Sequence, residues 1–467
     1  MEHYIFYCKL SLLAVLSLIT ACCMLSRRWY VNLVAFLACL SGETFLAHLF
    51  FPGYMLCPAA ASFIILFLSR IWDLSRTPAK GNGADPIRLP VRSGIRESRL
   101  EFYYHYSNFL VYGGAGSGKT KSIGKWLLSE YMRLGFAGFI YDFKDTDYTR
   151  TAYNLIKRHR YPHKFYYVSF DRPERSYRFN PLKVVRDRTE LIQLMEDVLL
   201  ALLPKKEQQN EWVAGGLGIL RGVAFRFWDE FPEHCTLPHI LAFIMTASAR
   251  QLSLFLQQNL VSEMLAGAYL KAEGSEKTQA SYLSTLCNNL ATISQNEEIA
   301  YVLSGDDFDF NLIDPENPKL FAVSNNFSKN SVYAPVISML MTISARQFSM
   351  QNRVPFVYFL DEMTTVNIKN FETLPSVLRE YKAAFILLTQ SGAKLENLYG
   401  KLDRSSVEAN FGNMFLGRTK DVEALKYYPL FFGKEEKERR SRSSGKSGAS
   451  SSSSCLLYTS DAADDLI

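Results

Sequence analysis

The sequence predicts an α/β protein: a largely parallel sheet with helical crossovers built around a P-loop, interrupted by an inserted all-α block and preceded by an apolar transmembrane helical region. Three observations carry this. A glycine-rich loop from Gly113 to Gly118, followed by Lys119 and Thr120, stands between a short apolar run and a helical pattern. A buried-strand pattern far downstream, Val354 to Met363, contains the acids Asp361 and Glu362 at its end. Between them, residues 184–313 repeat apolar side chains at helical spacing and nowhere alternate as a strand does.

At the amino terminus, Ile5 to Leu25 is almost continuously apolar, interrupted by Lys9, and about 20 such residues span a bilayer. Val31 to Phe51 is a second candidate, weakened by Gly42, Glu43 and His48, and Met55 to Leu68 is a shorter third. Arg27 and Arg28 follow the first run; Arg70, Arg76 and Lys80 follow the last. The positive-inside rule puts both clusters in the cytoplasm, which three spans satisfy and two do not. A cleaved leader competes, since Leu18 to Cys22 resembles a lipid-attachment box. Glu2 near the start and the further apolar sequence that follows argue against it. The expectation is a multi-pass anchor over residues 1–72, a linker over 73–100, and a cytoplasmic body. Within the linker, the basic stretch Arg88 to Arg99 reads as a polyanion contact or as a solvated tether.

Gly113, Gly114, Ala115, Gly116, Ser117, Gly118, Lys119, Thr120 and Lys121 form the cradle. Its glycines let backbone N–H groups face phosphates at the positive end of the following helix. Phe109 to Tyr112 reads as the strand before it, and Ile123, Trp126, Leu127 and Met132 as the stripe of the helix after it. Lys119 is placed to reach the β- and γ-phosphates of ATP, and the Thr120 hydroxyl to ligate Mg²⁺. A plain glycine-rich turn is the alternative.

In the inserted block, Leu191, Leu194, Met195, Val198, Leu199 and Leu202 repeat as a helix stripe, as do Leu217, Leu220, Val223 and Phe227. The glycines of "GGLGILRG" mark a close helix crossing. Downstream, an apolar strand delivers Asp361 for the metal and Glu362 for the attacking water at its C-terminal edge, where open α/β sheets bind ligands. Ala383 to Gln390 reads as another buried strand, ending in a glutamine, and Gln390 fits the polar residue that in RecA-like ATPases touches the γ-phosphate. Arg379 is either a surface arginine or a finger for a neighbouring subunit's nucleotide. Further strands are expected at 138–141, 165–169, 320–324 and 414–417.

A chain of 467 residues accommodates two or three packed units, and its net charge of +6 permits a polyanionic partner without arguing for one. Cysteines concentrate in the first sixty residues, and the body holds only Cys235 and Cys287, so no disulfide framework or CxxC zinc pair is present. His159 and His163, four apart, suit a metal or a solvated basic turn; acids at matching spacing are lacking.

In order, "FIYDFKD" (139–145), "FNPL" (179–182), "YFLDE" (358–362), "LREYKAAFILLTQ" (378–390), "LENLYG" (395–400) and "NFGNMFLGRTKDVEA" (410–424) resemble the type IV secretion coupling proteins. That resemblance implies a RecA-like motor whose parts, residues 101–183 and 314–433, flank an all-α domain at 184–313. It implies ATP and Mg²⁺ as cofactors, with Lys119, Thr120, Asp361 and Glu362 at the nucleotide. Arg379 then acts across a subunit boundary and Gln390 as sensor. It further implies single-stranded DNA, a relaxase and secretion-channel components as partners, a homo-hexamer, and a place in the inner membrane. The family usually has Pro-Lys-Gly where this chain has Phe143-Lys144-Asp145, which leaves Lys144 between a functional role and a strand-end salt bridge.

From Lys434 the chain turns charged and then serine-rich, and a disordered tail is expected over 434–467. Its last stretch, Cys455 to Ile467, resembles a translated sequencing adapter, with family members expected to return from such a loop to complete the sheet. The competing function is a membrane receptor that binds nucleotide and docks a protein substrate without moving DNA; only a motor needs Glu362.

Overall fold

The structure, a computed structural model, describes residues 85–93, 96–144, 146–203, 207–208 and 210–428, the strands 435–442 and 451–458, and scattered positions between 9 and 50. It divides into two units, residues 1–84 and 85–467. The three apolar runs of the first unit lie almost entirely outside the described residues. Among the described residues no helix is long and apolar enough to cross a membrane.

The second unit opens with β1 (Ile87–Ser93) and β2 (Arg96–Phe102), paired antiparallel. This corrects the expected linker. Ile87, Leu89 and Val91 alternate at period two, and the first two are buried against the helix that follows the P-loop. Arg88 is spent within the fold, on Asp85 at 2.7 Å and Glu101 at 3.6 Å.

Seven strands form the main sheet. They are β3 (Phe109–Tyr112), β4 (Ala137–Asp142), β5 (Lys164–Ser169), β6 (Lys319–Ser324), β7 (Phe356–Asp361), β8 (Ala383–Thr389) and β9 (Asn413–Leu416). All pair in parallel, in the order β5-β6-β4-β7-β8-β3-β9. Five central strands are buried along their whole length, which is why they read as continuous apolar runs.

The two faces of the sheet sort by residue parity. Phe109, Val111, Ile140, Val357, Phe359, Ile386 and Leu388 point to one face. There they meet α1 (Lys125–Arg133), which continues a π-type turn at Lys119–Gly124, and α2 (Asp147–His159). Trp126, expected on the apolar stripe of α1, is 42% exposed. Leu110, Phe139, Phe321, Tyr358 and Phe385 point to the other face, where Tyr358 and Phe385 stack at 4.7 Å.

That second face carries the helical segment: α3 (Arg188–Ala201), α4 (Glu211–Glu230), α5 (Leu237–Thr246), α6 (Ala249–Gln257), α7 (Leu260–Leu265), α8 (Gly267–Lys271), α9 (Glu276–Ser294) and α10 (Glu297–Leu303). Sequence-legible caps start it: the Asp187, Asn210, Thr236, Asn259 and Asn296 side chains accept from first-turn N–H groups, and Ser248 with Gln251 forms a capping box. Its core is continuous with the sheet's. Asp197 of α3 is held from the sheet side by Arg346 and Lys369, both at 2.8 Å.

The remaining helices are α11 (Asn330–Arg346), α12 (Leu374–Glu380), α13 (Gly392–Tyr399), α14 (Lys401–Ala409) and α15 (Val422–Tyr427). Beyond them, β10 (Glu435–Arg442) and β11 (Ser451–Tyr458) pair antiparallel with each other. The tail was expected to lack structure because its sequence has no period-two alternation; the pairing runs through the backbone and adds no strand to the main sheet.

The glycines of α4 act as expected. A Cβ on Gly218 would lie 2.8 Å from the Leu265 carbonyl oxygen, and one on Gly222 2.9 Å from that of Ser262. Both neighbours are main chain, so neither yields easily. Gly218→Ala gains about 1 kcal/mol of helix propensity, against roughly 1–3 kcal/mol for overpacking. Net destabilisation is expected in urea unfolding, deeper when Gly222→Ala is added; a stabilised double variant would refute the close crossing.

Candidate functional site

The chemistry gathers at the C-terminal edge of the sheet. Strand β8 lies between the P-loop strand and the acidic strand, and pairing aligns Val111, Leu388 and Asp361 in one row. Adjacent strands are about 4.8 Å apart, so the acids stand two strands from the loop, within reach of a lysine side chain.

The loop is seated by its own main chain: Gly113 N donates to Thr389 O at 3.2 Å and Gly114 N to Arg418 O at 3.0 Å. Gly116 and Gly118 adopt φ of 75° and 85°, the left-handed region where a Cβ is strained. A Cβ on Gly113 would strike Ser117 Oγ. The first N–H groups of a helix have no partner within it, and a glycine-rich loop leading into a helical turn, as at Lys119, is the arrangement that receives phosphate. Ala115, Gly116 and Lys121 are exposed, while Thr120 is half-buried.

Lys119 is 7% exposed; its ammonium donates to Gly113 O and lies 3.4 Å from Glu362 Oε1. Burial pulls its pKa down, and the Glu362 carboxylate pulls it back up. Glu362 is 2% exposed and adopts φ 45°, ψ 47°. Successive strand residues face opposite ways; this left-handed residue breaks the alternation just after Asp361. Such a conformation costs a non-glycine residue on the order of 1 kcal/mol or more. Thr365 holds it, donating from N at 2.9 Å and from Oγ1 at 2.7 Å to Glu362 O.

Gln390 Nε2 donates to Glu362 Oε1 at 3.4 Å, and Lys144 Nζ stands 3.8 Å from the same atom. Glu362 Oε2 and both carboxylate oxygens of Asp361 are buried without a hydrogen-bond partner. Burial pushes the Asp361 carboxyl up to about 7, against the pull of Lys144 and with the push of Glu362 and Asp142. A buried, unpartnered carboxylate suits a hard divalent cation, and a loop hydroxyl is a second oxygen donor of the same kind. Asp361 and Thr120 are the residues able to hold one. Among the described residues no cluster of three His, Cys, Asp or Glu side chains forms a metal site.

Residues 100–461 match the family model for the type IV secretion-system coupling protein DNA-binding domain. The chain belongs to this family. Its fold is that of solved coupling-protein structures. The bacterial conjugative coupling protein TrwBdeltaN70, in a trigonal form with sulphate, is 17% identical with a TM-score of 0.58, covering 79% of this chain and 82% of that one. The plasmid coupling protein TrwB in complex with the ATP analogue ADPNP is 16% identical with a TM-score of 0.57, covering 79% and 82%. TrwB in complex with ADP and Mg²⁺ is 16% identical with a TM-score of 0.56, covering 76% and 86%. No curated protein matches the chain.

Not every expected site residue of this coupling protein joins the cluster. Arg379 is exposed on α12, four residues before β8 begins. It therefore sits at the N-terminal edge of the sheet, about 20 Å of strand away from Gln390, and cannot serve the nucleotide site of its own chain. The two histidines are engaged separately by neighbouring polar atoms: His159 Nε2 pairs with Ser129 Oγ at 2.9 Å and His163 Nε2 with Gly135 O at 2.8 Å. Asp142 does not pair with the Lys144 side chain; its carboxylate accepts from Thr149 N and Oγ1 at 2.8 and 2.9 Å.

Two members of the neighbourhood escaped the sequence. Lys144 reaches the catalytic candidate across the β4–β7 pair, a contact that the Asp-x-Lys pattern hinted at without naming its target. Tyr112, the last residue of β3, donates to the buried Glu408 at 2.6 Å, which Arg404 also holds at 3.0 Å; α14 thereby braces the root of the loop.

Between an ordinary carboxyl near 4 and about 7, the native state binds the extra Asp361 proton, so stability falls as pH rises through that window. Asp361→Asn is expected to raise the thermal midpoint in nucleotide- and metal-free buffer, with the gain growing from pH 4 to pH 8. A gain that shrinks with pH would contradict the burial argument.

Proposed function

We propose that this coupling protein binds Mg²⁺-ATP in the P-loop and hydrolyses it to drive single-stranded DNA, with its relaxase, into a type IV secretion channel. The observation that carries the reading is the meeting of Lys119 with Glu362 at 3.4 Å beside the unpartnered Asp361 carboxylate. Lys119 and the loop amides bind the β- and γ-phosphates; Thr120 and Asp361 hold the cation. Mg²⁺, when bound, neutralises charge building on the phosphate oxygens. Glu362 orients the attacking water and takes its proton, and Gln390, already on Glu362, links that carboxylate to the γ-phosphate. Support for the cofactors comes from the TrwB complexes with ADPNP and with ADP and Mg²⁺.

Arg379, too far from its own site, stabilises charge in a neighbour's, which calls for a ring, read here as a hexamer. The DNA partner rests on the DNA-binding description of the matched family. The inner-membrane anchor rests on the apolar runs before residue 72 and their flanking arginines.

Full-length protein is expected to turn over ATP faster with single-stranded DNA present. Glu362→Gln should keep nucleotide binding but lose about 10²- to 10⁴-fold in turnover, while Lys119→Ala loses both. If Glu362→Gln leaves DNA transfer in cells intact while Lys119→Ala abolishes it, the protein is a nucleotide-binding receptor and no motor.

A further inference from the structure

Three donors converge on one oxygen of Glu362. Lys119 Nζ and Gln390 Nε2 each stand 3.4 Å from Oε1, and Lys144 Nζ stands 3.8 Å from it. The other oxygen, Oε2, is buried and meets none of them. The carboxylate is thus held by one end with its second end bare, the orientation a water-activating group requires.

Lys119 cannot remain in this arrangement when phosphate occupies the loop. Its ammonium has three donor positions on one flexible stem, and on the proposed reading they turn to the β- and γ-oxygens. Left with Gln390 alone, Glu362 would be a buried carboxylate without an ion-pair partner of its own, a costly state. Lys144 is placed to prevent this. It enters from the end of β4, the strand paired directly with β7, and not from the P-loop. Its side chain is 47% exposed, so nucleotide does not have to displace it from a packed position. Asp142, two residues earlier, is taken up by Thr149 and does not compete for it.

We propose that Lys144 is the resident counter-ion of Glu362: as Lys119 leaves for the phosphates, Lys144 and Gln390 keep Oε1 fixed so that Oε2 stays directed at the attacking water. Lys144 is a positioning residue, acting through Glu362 and not on the nucleotide. The inference rests on the ATP-hydrolysing reading of the site.

The test uses the full chain with Lys144→Met and Lys144→Arg, each alone and combined with Glu362→Gln. A fluorescent ATP analogue reports affinity, steady-state turnover gives kcat and KM, and thermal melting is run with and without a saturating non-hydrolysable analogue. Lys144→Met should leave analogue affinity and KM within about twofold and lower kcat by about 10- to 100-fold, the scale of a misplaced catalytic group. Lys144→Arg should restore most of the loss, and in the Glu362→Gln background Lys144→Met should change kcat no further. The melting coupling between Lys144→Met and Glu362→Gln should be small in free protein, where Lys119 serves Glu362, and should grow when the analogue is bound.

An unchanged kcat in Lys144→Met, an equal loss in the Glu362→Gln background, or a loss that tracks weakened analogue binding would overturn the proposal. If wild-type protein turns over no ATP, the hydrolysis reading fails by itself. The melting coupling then still decides whether Lys144 takes over Glu362 when Lys119 is called away, and coupling that does not grow with analogue sinks the idea.

Discussion

The contact between Lys119 and Glu362, buried beside Asp361 at the C-terminal edge of a parallel sheet, sets the terms for everything around it. Two carboxylates and one ammonium are each less than a tenth exposed there. Removing such groups from water costs several kcal/mol per ion unless charge or hydrogen bonds compensate, and here the pairing is incomplete: one buried lysine and the half-exposed Lys144 face two acids, and three carboxylate oxygens have no partner. The free protein therefore holds an electrostatic deficit that a cation and a polyanion together would relieve. Asp361 registers it as a raised proton affinity. A left-handed non-glycine residue and three unpartnered carboxylate oxygens thus lie together at one sheet edge, a combination that marks functional sites.

Strand order makes that deficit possible. Because β8 separates β3 from β7, the acids are set back from the loop and leave room between carboxylate and glycine backbone for a phosphate and a metal. The same insertion puts Gln390, at the end of β8, between the two. A sheet pairing β3 directly with β7 would close the gap. Parallel pairing also explains the position of Arg379: the connection that returns from β7 to the start of β8 must run to the opposite edge, so an arginine on it is carried away from its own site.

The helical segment is not an appendage on this sheet. One face of the sheet and the helices α3 to α10 share a single apolar core, so the two parts shift together or at a cost in packing. Asp197, held from the segment after the acidic turn by Lys369 and from α11 by Arg346, adds charge to that seam.

Sequence alone determined what depends on local pattern. Buried parallel strands read as apolar runs because both faces are covered, helices as stripes with polar caps, and the P-loop as glycines at fixed offsets, so Gly113 to Thr120, Asp361, Glu362 and Gln390 were legible before any coordinates. The hairpin at 87–102 was missed although Ile87, Leu89 and Val91 alternate, because Arg88, Arg92, Arg96 and Arg99 made the stretch resemble a basic tether. What only the tertiary structure decided are the relations between distant segments: that Lys144 addresses Glu362 and not Asp142, that Arg379 lies at the far edge, and that the histidines serve neighbouring polar atoms. Strand order sets all of these, and it follows from long-range packing of interchangeable apolar strands, whose own sequences say that they are buried but not beside whom.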